Sequence, residues 1–343
     1  MKYPRPLDIG SKIGITAFSS GVPSGCHDRL DLVIKSLKDR GFEVLEGINL
    51  RSNEKHVSAN ARDRANELMT FLCDDSLDAI FPPWGGELAM EILPFLDFKK
   101  IAKAQPKWII GFSDVSTILA VITTRLGWAT AHTANLMQLH PKQDDSLTSK
   151  IFDYLNLTDN AEFTQFSSDK YEVSGFSFAE NPNATFNLTA QTLWKVLNKN
   201  DQNCEFSGRL IGGCFDTLSH IIGTEYFDIR SFVQQHNNEG VILYLENAEM
   251  SSTAYLRGLL SLKYKGFLKL VNGLLIGRNA AANNGDKDIS DYEALTQALY
   301  DVDIPVVYDA DIGHLSPNMT LLNGVYAKVE LKNGMGSITQ TLK

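Results

Sequence analysis

The sequence has few cysteines, no long apolar run and no apolar leader. Its four cysteines lack paired spacing, which argues against a disulfide framework and a zinc site and fits a reducing compartment (Cys26, Cys73, Cys204 and Cys214). No run approaches the roughly 18 apolar residues of a membrane helix, and the first residues, MKYPRPLDIG, do not form a signal-peptide core. We therefore expect a cytoplasmic protein with no membrane partner.

The sequence also lacks a basic stretch. Its formal net charge is −9, with 32 Lys and Arg against 41 Asp and Glu, so a nucleic acid is not the expected partner. Hydrophobic residues make up 43% and charged residues 21%, which is typical of a folded globular protein. A chain of 343 residues is long enough for two ordinary domains.

Predicted strands alternate with predicted helices in the first half of the chain. Short apolar runs predict strands at 12–18, 42–45, 77–81 and 107–110, and helical spacing predicts helices at 29–40, 59–73, 87–96 and 118–126. This alternation indicates an α/β domain with a parallel, flavodoxin-like sheet and helices on both faces. We place this N-terminal domain at residues 1–160.

The pattern weakens between about residues 159 and 206, where Asn and Ser are frequent. We interpret residues 161–206 as a crossing between domains with short antiparallel strands. The alternation then resumes, with predicted strands at 209–213, 241–245, 273–277 and 305–308 and predicted helices at 216–222 and 253–264. The prediction is a C-terminal α/β domain of mixed strands at residues 207–343.

Three of the predicted strands end in residue types that a serine hydrolase needs. The strand at 107–110 leads into Ser113, the strand at 241–245 into Glu246, and the strand at 305–308 into His314. Ligand sites of open α/β sheets form beyond the carboxyl ends of strands. A nucleophile, an acid and a base at three such ends could converge, although geometry rather than chain order defines a triad.

Each of these residues also has a simpler interpretation. Ser113 could only cap the following helix, and His314 could be a loop histidine in competition with His132 and His220. Glu246 continues an apolar strand, where a carboxylate needs a partner, but a salt bridge would also explain it, and Glu249 is a near alternative. Gly85-Gly86 suits an oxyanion hole, a phosphate site or, more commonly, a tight turn.

The ordered set of motifs resembles the LD-carboxypeptidase family of serine peptidases, and more closely its branch that contains the microcin C immunity protein. The resemblance spans nearly the whole chain. It is carried by Ser19-Ser20, Ala61-Arg62-Asp63-Arg64-Ala65-Asn66-Glu67-Leu68-Met69, Trp84-Gly85-Gly86-Glu87, Ile92-Leu93-Pro94-Phe95-Leu96-Asp97, Gly111-Phe112-Ser113-Asp114, Gly208-Arg209-Leu210-Ile211-Gly212-Gly213, Leu245-Glu246 and Asp311-Ile312-Gly313-His314.

The resemblance implies a role for each of these residues. Ser113 would be the nucleophile, His314 the general base and Glu246 its orienting carboxylate. The backbone N–H groups of Gly86 and Asp114 would stabilise the oxyanion. The family also implies an acyl-enzyme pathway without metal or cofactor, and a homodimer.

Family substrates are of two kinds. One is a peptidyl or aminoacyl nucleotide, cut at the amide-type bond to the nucleotide, and the other is a murein tetrapeptide, cut before its terminal D-alanine. We favour the nucleotide kind, whose family members hold the nucleobase with aromatic side chains of the interdomain region. Trp194 is the candidate there, with helix core as its alternative, and Trp84, Glu87 and Arg278 are further candidates for substrate contact.

The sequence departs from the family pattern in three places. Thr133-Ala134 follow His132, where the family has Gly-Pro. Arg278-Asn279-Ala280-Ala281 stands where an acidic residue often receives the substrate's amino group, and residues 282–286 form a polar insertion that could reshape the pocket. The remaining alternatives are a non-catalytic two-domain ligand-binding protein and a nucleotide-binding enzyme, but the latter lacks a Gly-rich fingerprint.

Overall fold

Two β-sheets organise the chain in a computed structural model that describes residues 1–197, 203–281 and 289–343. The first sheet is mainly parallel and the second is mixed, so the predicted fold class is confirmed. In this part of the chain, no helix has the length and apolar character needed to cross a bilayer.

The first sheet has the strand order β14-β5-β4-β3-β1-β2. The order 2-1-3-4-5 within it is that of flavodoxin-like folds. All neighbours are parallel except β14, which pairs antiparallel with β5 and comes from the far end of the chain. The strands are β1 (Lys12–Ile15), β2 (Glu43–Glu46), β3 (Ala79–Ile80), β4 (Trp108–Gly111), β5 (Thr130–His132) and β14 (Leu321–Asn323).

Helices cover both faces of this sheet. They are α1 (His27–Asp39), α2 (Ala61–Cys73), α3 (Phe98–Ile101), α4 (Val115–Leu126) and α5 (Ile151–Leu155). The apolar stripe of α1 packs with Ile13 and Ile110, whereas α2 and α4 pack with Ile80 and Ile109 on the opposite face. The helix predicted at 87–96 is instead a 3₁₀ helix, Ala89–Phe95, since Pro94 cannot donate an α-helical hydrogen bond.

The second sheet has the order β6-β16-β15-β10-β11-β12-β13-β9. Strands β10 to β13 are parallel neighbours, and antiparallel strands flank them on both sides. The strands are β6 (Glu162–Phe166), β9 (Lys195–Val196), β10 (Cys204–Cys214), β11 (Val241–Glu246), β12 (Gly273–Gly277), β13 (Val306–Ala310), β15 (Tyr326–Lys332) and β16 (Met335–Thr341). A separate two-stranded antiparallel sheet pairs β7 (Lys170–Tyr171) with β8 (Ala190–Gln191).

The crossing contributes β6 and β9 to the two edges of the second sheet. The short antiparallel strands predicted there are confirmed, whereas the alternative of a helix around Trp194 is wrong. The boundaries at residues 160 and 207 stay predictions. The helices of the second half are α6 (Phe215–Ile221), α7 (Ile229–Gln235), α8 (Ser252–Tyr264) and α9 (Asp291–Leu299).

Strand β10 and helix α4 join the two sheets. Ser116 in α4 accepts the N–H of Cys214, the last residue of β10, at 3.0 Å. A Cβ atom added to Gly213 would lie 2.4 Å from the Ser116 Oγ, so the strand approaches the helix closely because it has glycine there. This contact brings the start of α4 next to the carboxyl ends of β10 and β11.

Candidate active site

Ser113 lies in a tight turn between β4 and α4. Its φ is +63°, a left-handed conformation that is uncommon for a residue with a side chain. Gly111 has a φ of +136°, and the Asn135 side chain accepts the Phe112 N–H at 3.1 Å. The hydroxyl therefore stands at the N-terminus of a buried helix, where negative charge is stabilised.

Gly85 packs against this turn, and Gly86 packs against Ser19 and Ser20. A Cβ atom added to Gly85 would lie 2.6 Å from the Ser113 Cβ and 2.7 Å from its Oγ. One added to Gly86, whose φ is +143°, would lie 2.8 Å from the Ser20 backbone nitrogen. Only glycine lets the backbone at residues 85 and 86 come so near to Ser113 and to Ser20.

The Asp114 carboxylate ties the glycine segment to the serine turn. It is 1% exposed and accepts hydrogen bonds from Ser19 Oγ at 2.6 Å, the Ala89 N–H at 2.7 Å and Thr117 Oγ1 at 3.0 Å. Burial raises the pKa of Asp114, and the donors offset only part of that rise. One side chain thus fixes the distance between two loops of the site.

The predicted oxyanion donors lie at the same cleft as Ser113. Gly86 and Asp114 both line it, and their N–H groups have no acceptor among the residues that the structure describes. A pair of free N–H groups beside a nucleophile can hold the negative oxygen of a tetrahedral intermediate. The arrangement is compatible with the role predicted for them.

Glu246 ends β11 with a fully buried side chain, and its Oε2 lies 2.9 Å from His314 Nδ1. Burial by itself raises the pKa of Glu246, but His314, His132 and Cys214 together outweigh burial and the pKa is lowered. Burial by itself lowers the pKa of His314, but the carboxylates of Glu246, Asp216 and Glu249, with Glu246 foremost, together outweigh burial and the pKa is raised. The carboxylate therefore orients the imidazole and leaves Nε2 for another partner.

Two glycines shape the His314 turn against Glu246. A Cβ atom added to Gly313, whose φ is +106°, would lie 2.5 Å from Glu246 Oε2. One added to Gly277 would lie 2.9 Å from the Glu246 Cβ and 2.2 Å from the Ile312 carbonyl oxygen. The backbone on both sides of the buried carboxylate therefore has no room for a side chain.

Arg278, a candidate for substrate contact, is only 4% exposed. Its guanidinium pairs with the fully buried Asp311 and donates to the Leu315 carbonyl at 3.2 Å. The guanidinium also lies 4.4 Å from the centre of the Tyr171 ring. Because Asp311 and the Leu315 carbonyl lie on either side of His314, Arg278 fastens the His314 turn. Arg278 also lines a second cavity, of about 920 Å³, and its role in substrate contact stays a prediction.

Ser113 and His314 line one cleft of about 210 Å³. No hydrogen bond joins their side chains among the described contacts. Catalytic hydrogen bonds of unliganded enzymes are often long and tighten only when substrate binds. The structure therefore brings nucleophile and base candidates to one cavity, with the acid candidate behind the base.

The alternative acid and bases occupy other positions. Glu249 is an exposed residue of the cleft with no bond to His314, and its N–H donates to Asp216 at 2.9 Å. His132 is fully buried, and burial lowers its pKa to about 4. His220 is exposed at the cleft. Of these three histidines, His314 is the one that a buried carboxylate orients.

The two tryptophan candidates differ in exposure. Trp84 is half-buried, with its ring 6.3 Å from that of Phe178 and its Nε1 donating to the Gly21 carbonyl at 3.2 Å. Trp194 is fully buried, and its Nε1 donates to Asp311 at 2.8 Å. The prediction for Trp194 is corrected, because a ring packed inside the core cannot stack on a nucleobase.

Aromatic residues of the crossing, which the sequence analysis missed, cluster beside Trp84. The ring centroids of Phe176 and Phe178 are 5.2 Å apart, and those of Phe176 and Phe186 are 6.4 Å apart. The buried Arg29 lies 4.8 Å from the centre of the Phe178 ring and donates to two carbonyls of the crossing. The signal was the recurrence of phenylalanine in a polar segment. We call Trp84, Phe176, Phe178 and Phe186 the aromatic cluster.

Glu87 and the insertion at 282–286 are the remaining positions that the sequence analysis singled out. Glu87 lines the cleft, is exposed and lies 3.2 Å from His56 Nδ1. The insertion at 282–286 lies outside the described residues. Within the described ranges, no group of three or more His, Cys, Asp or Glu side chains is placed to hold a metal ion.

Comparisons with known proteins point to one family. Residues 13–133 match the LD-carboxypeptidase N-terminal domain, and residues 207–329 match the LD-carboxypeptidase C-terminal domain. The microcin C7 self-immunity protein MccF of Escherichia coli is 26% identical over 344 residues, covering 98% of this chain and 95% of MccF. A Vibrio cholerae protein, whose assignment as a carboxypeptidase is itself inferred, is 26% identical over 342 residues, covering 97% of this chain and 96% of its own.

Solved structures of MccF share this fold. MccF in complex with glutamyl sulfamoyl guanosine matches with a TM-score of 0.83 and 25% identity, over 98% of both chains. MccF in complex with aspartyl sulfamoyl adenosine matches with a TM-score of 0.84 and 25% identity, over 99% of this chain and 98% of MccF. Since both domain models match, and together cover most of the chain, this protein belongs to the LD-carboxypeptidase family.

Proposed function

We propose that this protein is a serine peptidase or amidase that cleaves an amide-type bond in a peptidyl or aminoacyl nucleotide. The observation that carries the proposal is the pairing of His314 with the buried Glu246 at the cleft that Ser113 lines. A binding protein would have no need of all three groups. Membership of a peptidase family supports hydrolysis as the reaction class.

In the proposed mechanism His314 acts first as a base. Its Nδ1–H donates to Glu246, so Nε2 is free to take the proton of the Ser113 hydroxyl as Oγ attacks the substrate carbonyl carbon. The carbonyl oxygen becomes negative and is held by the N–H groups of Gly86 and Asp114. The imidazolium then gives its proton to the leaving nitrogen, and the carbon–nitrogen bond breaks.

The second half of the cycle restores the enzyme. His314 takes a proton from water, and the resulting hydroxide attacks the acyl carbon bound to Ser113. The second tetrahedral intermediate uses the same two N–H donors. It collapses as the proton on His314 returns to the Ser113 oxygen, which releases the free acid.

In this proposal the nucleotide part of the substrate binds at the aromatic cluster. Trp84 is adjacent in sequence to Gly85, which packs on Ser113, so the cluster begins next to the nucleophile. Stacked aromatic rings are a common binding mode for nucleobases. The complexes of MccF with sulfamoyl guanosine and adenosine conjugates support this class of substrate.

The second candidate is a murein LD-carboxypeptidase that releases a terminal D-alanine from tetrapeptides. The match of both halves to LD-carboxypeptidase domains favours it, since the same triad would serve both reactions. The third is a non-catalytic two-domain ligand-binding protein, because one architecture hosts many functions.

A paired hydrolysis assay of wild type and Ser113→Ala tests the proposal. The substrates are an aminoacyl sulfamoyl adenosine and a murein L,D-tetrapeptide. We expect cleavage of the nucleotide compound by wild type and none by the variant. Cleavage of the tetrapeptide alone would establish the second candidate. Binding without cleavage of either compound would favour the third candidate or a substrate outside both classes.

We also propose a cytoplasmic homodimer, in line with the family resemblance. Light scattering coupled to size-exclusion chromatography measures the assembly state, and a single species of twice the chain mass is expected. A species of one chain mass would contradict it.

A further inference from the structure

The charged side chains at the Ser113 cleft are unequally partnered. Asp216 accepts backbone N–H groups of Ala248, Glu249 and Met250 at 2.8, 2.9 and 3.0 Å. The Asp114 carboxylate is buried and has three donors of its own. Both carboxylates are therefore already engaged by several donors of the protein.

Glu249 and Glu87 are different. Both are exposed at the cleft. The Glu249 carboxylate has no hydrogen-bond donor among the described residues, and Glu87 has only the His56 ring, which is itself 70% exposed. Of the described residues that line the cleft, none is a lysine or an arginine; its ring nitrogens belong to His220 and His314.

The size of the cleft indicates which part of a substrate it admits. At about 210 Å³, it is smaller than the roughly 300–1,000 Å³ of pockets that enclose a drug-sized ligand. It suits a single acyl residue whose carbonyl reaches Ser113. The nucleoside then lies on the side of the aromatic cluster.

We infer that the cleft selects an acyl residue that carries a positive charge, with Glu249 and Glu87 as the residues that determine this specificity. This rests on the proposed function, because Ser113 and His314 are what make the cleft a substrate site. An ammonium group would pair with one of these exposed carboxylates, whereas an acidic acyl side chain would meet like charge, with no lysine or arginine among the described residues that line the cleft. The MccF complexes carry glutamyl and aspartyl groups. MccF and this protein would therefore differ in the charge of the acyl group that each one accepts.

The test compares lysyl, alanyl and glutamyl sulfamoyl adenosine as substrates of the whole chain. An ammonium group about 4 Å from an exposed carboxylate is attracted to it, and an acyl carboxylate at the same distance is repelled, so each step in the order lysyl, alanyl, glutamyl is expected to lower kcat/KM by roughly five-fold or more. The lysyl preference should shrink as salt is raised, since exposed charges are screened.

Substitutions of Glu249 and Glu87 test whether these residues cause the lysyl preference. Glu249→Gln and Glu87→Gln should each lower the lysyl preference, and Glu249→Lys should turn it towards the glutamyl compound. Glu43→Gln is the matched control, because Glu43 is exposed at the first residue of β2, at the end opposite the carboxyl edge of the sheet; it should leave the preference unchanged. A wild-type preference for the glutamyl compound overturns the inference while the proposed function stands.

Affinity of Ser113→Ala for the same three compounds, measured by calorimetry, separates the two proposals. If wild type hydrolyses none of them but the variant binds in the order lysyl, alanyl, glutamyl, the proposed function fails and the inference stands. Equal affinities would overturn the inference whatever the turnover.

Discussion

His314 Nδ1 and Glu246 Oε2 lie 2.9 Å apart, with the carboxylate fully buried and the imidazole side chain 27% exposed. A fully buried carboxylate at the end of an apolar strand needs a partner, and here that partner reaches the edge of the cleft. The pair therefore links the core of the second sheet to the place where a substrate would react.

Glu246→Gln tests this pair through the pH dependence of the reaction. The base works only when neutral, and the pKa of His314 is raised by the Glu246 carboxylate. Activity should therefore rise with pH through a value above the ordinary pKa of histidine. In the variant burial dominates, so the acid limb of kcat/KM should move to lower pH while the rate falls by roughly 10²–10⁴-fold, because the imidazole loses its orienting carboxylate.

A pH–rate profile of wild type and variant measures both effects. An acid limb that stays in place after Glu246→Gln would show that this carboxylate does not set the pKa of the base. If Glu249→Gln produces the larger loss of rate instead, the acid of the triad lies three residues further along the chain.

Asp114→Ala and Asp114→Asn separate the carboxylate from its backbone N–H. Alanine leaves the Ser19 hydroxyl and the Ala89 N–H buried without an acceptor, at a cost of about 1–3 kcal/mol for such a group. Asparagine can keep both bonds through its amide oxygen, and Thr117 can rotate to accept from the amide nitrogen. We expect kcat to fall at least roughly ten-fold in the alanine variant, by analogy with a loosened oxyanion site, and to recover in the asparagine variant.

Steady-state kinetics and urea unfolding of both variants check this. An alanine variant that loses stability but keeps kcat would contradict the expected loss of rate. The Asp114 carboxylate would then stabilise the fold without positioning the oxyanion donors.

Arg278→Met removes the partner of a buried charge. Asp311 is fully buried and the Arg278 side chain is 5% exposed, and breaking such a pair typically costs about 3–5 kcal/mol. The Leu315 carbonyl next to His314 also loses its donor, so activity should fall together with the free energy of unfolding. Adding Asp311→Asn should recover part of the stability, because no unpaired charge then remains.

Unfolding by urea across this double-mutant cycle measures the coupling. Independent, additive effects of the two substitutions would contradict the role of the pair.

The sequence predicted the elements more reliably than it predicted exposure. Strand β12 has the predicted bounds, and α1, α2 and α8 differ from prediction by two residues or fewer at each end, because their apolar spacing is local. The start of β10 was missed: the strand begins at Cys204, five residues before the predicted start at 209, in the stretch that was interpreted as part of the crossing. The predicted family is confirmed, and the roles of the site residues stay predictions.

The prediction of solvent exposure failed for residues whose bonding partner is distant in sequence. Trp194 was expected to meet a nucleobase, but its indole N–H bonds Asp311, 117 residues away. Arg278 follows an apolar strand, as ligand-facing residues often do, yet its carboxylate partner is the same Asp311. A short motif carries no information about such long-range pairing, which also hid the link between Asp114 and Ser19.

Phe178→Leu tests the aromatic cluster. The Phe178 ring lies 6.3 Å from the Trp84 ring, and base–aromatic stacking is worth about 1–3 kcal/mol. We expect KM for an aminoacyl sulfamoyl adenosine to rise roughly ten-fold with little change in kcat, because the ring would hold the nucleoside without touching the reacting bond. Phe166→Leu is the control, since Phe166 is 68% exposed on β6. A loss confined to kcat would exclude a nucleobase contact.

Gly85→Ala tests how closely the nucleophile turn is packed. The added Cβ would lie 2.6 Å from the Ser113 Cβ and 2.7 Å from the Asp114 backbone nitrogen, and a backbone atom cannot move away cheaply. Displacing the serine by about 1 Å can cost roughly 100-fold in rate, so kcat should fall by that order while the far sheet stays folded. Gly175→Ala is the matched control, because its added Cβ meets nothing within 4 Å. Circular dichroism confirms that both variants fold, and a fully active Gly85→Ala enzyme would show that Ser113 does not occupy this turn during the reaction.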